Sequence, residues 1–61
     1  MFYYRVRIFV DGQYWSAVRI ADASRINAVL AACQSLRRVF VQGTEVRVEC
    51  GSVRQQFVAA N

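Results

Sequence analysis

Residues 2–20 read FYYRVRIFVDGQYWSAVRI, two runs of alternating side chains on either side of Asp11 and Gly12. In the first run Phe2, Tyr4, Val6, Ile8 and Val10 fall on one side and Tyr3, Arg5, Arg7 and Phe9 on the other, the period of a strand with one buried face. In the second, Tyr14, Ser16, Val18 and Ile20 are expected inside, with Gln13, Trp15, Ala17 and Arg19 outside. The two runs form a hairpin. Residues directly opposite share a face, so pairing even with even requires an odd loop, here Val10, Asp11 and Gly12 as a type I turn closed by a left-handed glycine. That register sets Phe9 opposite Gln13, Arg7 opposite Trp15, Arg5 opposite Ala17 and Tyr3 opposite Arg19.

From Asp22 the apolar spacing lengthens to three and four residues, so Ile26, Val29, Leu30, Cys33 and Leu36 predict one stripe of a helix. Ala28, Ala31 and Gln34 fall on its solvated side. Asp22 is the expected N-cap and Ser24 the competitor, and Arg37 and Arg38 sit where a cation complements the helix C-terminus. A second hairpin follows: TEVRVEC, a Gly51-Ser52 turn of type II′, and VRQQFV. Its inward set is Val46, Val48, Cys50, Val53 and Phe57, with Gln55 the exception. Glu45, Arg47, Glu49, Arg54 and Gln56 face out. The order β-β-α-β-β predicts an α+β, two-layer domain over residues 1–61, an antiparallel four-stranded sheet with one helix packed on one face. Placing the second strand at one edge, then the first, third and fourth, makes every neighbour antiparallel. The segment RVFVQ is a candidate for a short extra strand.

A chain of 61 residues has room for one small core. With 56% hydrophobic residues it lies outside the disordered class. Arginines break the longest apolar stretches, which excludes a transmembrane helix of roughly 20 apolar residues, and the N-terminus turns straight into strand without a signal-peptide pattern; a cytoplasmic protein with no membrane partner is expected. Cys33 and Cys50 lack metal-ligand spacing and no histidine is present, so they read as buried free thiols, with a disulfide as the alternative. The net charge is +4, and all eight basic residues are arginine. Arginine suits bidentate and stacked contacts with anionic partners, although a GC-rich genome gives the same composition.

Catalysis finds little material. There is no histidine or lysine, Asp11 reads as turn and Asp22 as cap, and Glu45 and Glu49 flank Arg47 at strand spacing suited to cross-strand ion pairs. Single glycines at turns make no phosphate-binding loop. A protein that is not an enzyme and needs no cofactor or metal is expected. The informative feature is the sheet face turned away from the helix, where Tyr3, Phe9 and Trp15 stand among Arg5, Arg7 and Arg19, with Arg47 and Arg54 on the later strands and Arg7 placed to stack on Trp15. Four readings fit it: a protein-binding face, a single-stranded nucleic-acid platform, a homodimer contact, or long side chains shielding an open sheet.

The segment FVQGTEVRVE, residues 40–49, resembles the FQGT motif and following alternating strand of an anti-CRISPR family that acts on type I-F surveillance complexes. That family is also built from a hairpin, a helix and further strands. Here Val41 is inserted in the motif, the segment joining helix to strand is longer, and the end is FVAAN in place of a basic, aromatic tail. No binding residues carry over. The resemblance implies a phage or mobile-element inhibitor whose partner is a host protein or ribonucleoprotein complex; a nucleic-acid-binding module is the alternative.

Overall fold

The computed structural model describes residues 1–60. Strands β1 (Phe2–Val10) and β2 (Gln13–Asp22), helix α1 (Arg25–Leu36), then strands β3 (Glu45–Cys50) and β4 (Val53–Val58) follow in chain order. The strands form one antiparallel sheet ordered β2-β1-β3-β4, as the sequence predicts. The helix covers one face. Between the layers lie Val6 and Ile8 of β1, Val46, Val48 and Cys50 of β3, and Ala28, Val29, Ala32 and Cys33 of α1, all buried. Both cysteines are free.

The first hairpin departs from the expected loop. Val10 pairs with Gln13, leaving a two-residue turn in which Asp11 and Gly12 have φ of +49° and +84°, the two left-handed residues of a type I′ turn. Parity is then restored by a β-bulge: Phe9 pairs with Tyr14 and Ile8 with Ser16, so Trp15 is the extra residue. Beyond it even faces even, Val6 against Val18 and Tyr4 against Ile20, but every expected partner is displaced. Arg7 stands opposite Ala17, Arg5 opposite Arg19 and Tyr3 opposite Ala21.

The helix is capped by Ser24, whose hydroxyl oxygen accepts from the Asn27 N–H at 3.1 Å; the Asp22 carboxylate instead accepts from the N–H of Ala23. Its buried face is not the expected stripe. Val29 and Cys33 are inside, but Ala28 and Ala32 join them, while Ile26 and Leu30 are 58% and 46% exposed. Alanines let the helix backbone approach a sheet floored with valines, and close packing rather than summed hydrophobicity sets the rotation. After the helix, residues 37–44 form turns and no strand, contrary to the candidate RVFVQ strand. Phe40 drops from that segment onto the core.

The second hairpin matches its expected register, Cys50 opposite Val53 across a turn in which Gly51 has φ of +59°. Gln55 takes its inward place opposite Val48, yet remains exposed because β4 is an edge strand.

Candidate functional site

On the sheet face away from α1, strand alternation brings together Tyr3, Arg5, Arg7 and Phe9 of β1, Arg19 of β2, Arg47 and Glu49 of β3, and Arg54 of β4. Seven of the eight residues singled out in the sequence share this face. Trp15 does not. The bulge turns it toward the helix side, where its ring meets core-packed Phe40 edge to face, with centroids 5.1 Å apart. The expected stacking of Arg7 on Trp15 is therefore replaced. Tyr14, expected inside, stands opposite Phe9 and meets its ring edge to face at 5.8 Å.

The face divides electrostatically. At its centre Glu49, whose side chain is 12% exposed, receives two arginines: Arg7 donates through Nη2 to Oε1 at 3.2 Å, and Arg47 Nε lies 2.7 Å from Oε2. That second contact is off the hydrogen-bonding direction, so it is an ion pair that leaves the Nε–H without an acceptor. Arg54, opposite Glu49 in register, makes no ion pair among the described residues. The Arg47 and Arg7 guanidinium carbons stand 4.4 and 5.8 Å from the Phe9 centroid, so cations and Tyr14 surround that ring.

Toward the other end, Arg5 and Arg19 oppose each other directly across β1 and β2, both exposed. The Arg19 guanidinium lies over Tyr3 at 5.0 Å, and no carboxylate among the described residues reaches either arginine. Like charges opposed on adjacent strands destabilise a sheet, so this pair is a gap in the charge balance that no described residue fills. The pairing could not be read from parity alone, since it depends on the position of the bulge.

Among the described residues no three His, Cys, Asp or Glu side chains cluster as a metal site, and no helix is long and apolar enough to cross a membrane. No protein-family model, curated protein or solved structure matches the chain.

Proposed function

We propose that the chain is a non-catalytic binding protein of phage or mobile-element type, an anti-CRISPR-like inhibitor that seats its arginine face on an acidic surface of a host surveillance complex and blocks it. The observation that carries the acidic-partner reading is the Arg5 and Arg19 pair, opposed and without a carboxylate partner among the described residues; the anti-CRISPR-like part rests on the resemblance of residues 40–49. An acidic partner bridging both guanidiniums relieves their repulsion and gains charge-assisted hydrogen bonds.

A protein surface suits the geometry better than a single nucleic-acid strand. Base stacking needs open ring faces, whereas Trp15 lies against Phe40, Phe9 is surrounded by Arg7, Arg47 and Tyr14, and Tyr3 carries Arg19 over its ring.

The test is phage plating on a host with an active type I-F system, with wild-type protein and the Arg5→Ala, Arg19→Ala double variant, alongside binding to the purified complex. Protection by the wild type that the double variant loses, with binding to the complex lost in parallel, supports the proposal. Binding to single-stranded oligonucleotides whose log–log salt slope flattens by about one unit per arginine removed, with no binding to the complex, transfers the face to nucleic acid and overturns it.

A further inference from the structure

The backbone ladder singles out one edge of the sheet. The Ala59 N–H donates to the Thr44 carbonyl at 2.8 Å, which fixes the phase between β3 and β4. Counting inward, Val46 with Phe57, Val48 with Gln55 and Cys50 with Val53 are the pairs that exchange hydrogen bonds. On the far side of β3, Asp11 N–H donates to the Glu45 carbonyl at 2.8 Å, in phase with Phe9 opposite Arg47 and Arg7 opposite Glu49. The backbone groups of Arg54, Gln56 and Val58 therefore point away from the sheet, along an edge that no described element covers.

Sheet edges are ordinarily blunted by proline, lysine, a bulge or inward charge. Strand β2, the other edge, carries the Trp15 bulge. Strand β4 has none of these devices, and Arg54 is its one charged residue. Beside it runs a groove between sheet and helix, lined by Leu30, Cys33, Gln34, Arg37, Gln55 and Phe57.

We infer that β4 pairs antiparallel with β4 of a second copy, about a two-fold axis at Gln56. The free edge is self-complementary in that register: Gln56 meets Gln56 of the second copy, and Arg54 meets Val58 in both directions. Every outward backbone group is then paired, through about six hydrogen bonds. Centring the axis on Arg54 would oppose two like charges, and centring it on Val58 would set Gln56 against Ala60, beyond the end of β4. On the inner face the pairing sets Gln55 beside Phe57 of the second copy, and brings the two grooves with their half-exposed Leu30 side chains to the seam. The product is an eight-stranded sheet with both arginine faces on the same side. The edge contact is small, at the low end of specific interfaces (below about 1,200 Å²), the size class of weak, transient contacts. This inference concerns the edge and does not depend on what the arginine face binds.

Sedimentation velocity from about 1 to 500 µM, paired with amide hydrogen exchange, tests it. The expected result is a reversible dimer, with amides of Arg54, Gln56 and Val58 protected only where the dimer is populated. Val58→Arg places like charges opposite Arg54 of the second copy and weakens the dimer about tenfold; Val58→Glu creates two opposite-charge pairs and tightens it in low salt. Gln56→Pro removes an N–H that only the second copy uses, and gives a folded monomer. If that variant unfolds, the opposite signs of the two Val58 variants decide. A wild type that stays monomeric throughout, Val58 variants with equal effects, or a dimer that persists in folded Gln56→Pro overturns the inference.

Discussion

Arg5 and Arg19 stand directly opposite each other across the first hairpin, with the Tyr3 ring 5.0 Å from the Arg19 guanidinium and no acidic residue in reach among those described. Two residues along β1, Arg7 is held by Glu49. The same strand face thus carries one neutralised arginine and one opposed pair, and substitutions should separate their roles.

Replacing Arg19 with Glu should convert repulsion into attraction and raise stability by about 0.5–1 kcal/mol. Binding to an acidic partner should fall sharply at the same time. Urea unfolding and partner titration on the same variant check it; a loss of stability would mean that the stacking of Arg19 on Tyr3 outweighs the repulsion from Arg5.

Glu49→Gln should act in the opposite sense. It releases Arg7 and Arg47 from their ion pairs at a stability cost of about 1 kcal/mol, since the arginines are partly solvated. Two further cations become available to an anion, so affinity for an acidic partner should rise, most at low ionic strength. Isothermal titration across a salt series reads both effects.

Trp15→Ala should cost about 1–2 kcal/mol through the lost ring contact with Phe40. Because Trp15 lies off the arginine face, partner affinity corrected for unfolded protein should be unchanged. Its fluorescence should report unfolding strongly and anion binding weakly.

Turn substitutions test the type I′ geometry. A Cβ at Gly12 would meet nothing within 4 Å, so Gly12→Ala should cost about 1 kcal/mol purely through its positive φ, while Gly12→Asn costs less. Asp11→Ala should lose more, about 1–2 kcal/mol, because the Asp11 carboxylate also accepts from the Glu45 N–H at 3.0 Å. Thermal and denaturant midpoints of the three variants give the order.

Burial pushes the Cys33 thiol above its usual range, with the nearby Arg37 charge offsetting part of the effect. The unfolded chain therefore ionises first as pH rises. The thiol's contribution to stability is complete below the ordinary cysteine pKa and declines as pH climbs through the higher folded value. In a Cys50→Ala background, iodoacetamide at pH 8 should modify native Cys33 at least about tenfold more slowly than the urea-unfolded chain.

Alternation made β1 and β3 legible because both strands are central, so each side chain is either buried under the helix or turned out to the arginine face. The second hairpin was equally plain, since Gly51-Ser52 joins two runs whose apolar residues already match. Parity correctly required an odd element in the first hairpin but could not place it: an extra loop residue and an extra strand residue satisfy the same count. The bulge decided for Trp15 and Tyr14, exchanging their faces, and created the Arg5 and Arg19 opposition. The helix face was misread at Ile26, Leu30 and Ala28, because a periodic stripe measures apolarity whereas the sheet below selects for close approach.

The strand order β2-β1-β3-β4 also separates what folds locally from what must wait. Each hairpin closes through a two-residue turn, and the helix needs only its own residues. The pairing of residues 7–10 with residues 46–49, extended by the Asp11–Glu45 hydrogen bonds, joins the two halves of the sheet, and it must confine the whole intervening chain. That closure should dominate the folding barrier. Truncating Ile8 or Val48, buried where the halves meet, should mainly slow folding, whereas truncating Val53 at the outer edge should mainly speed unfolding.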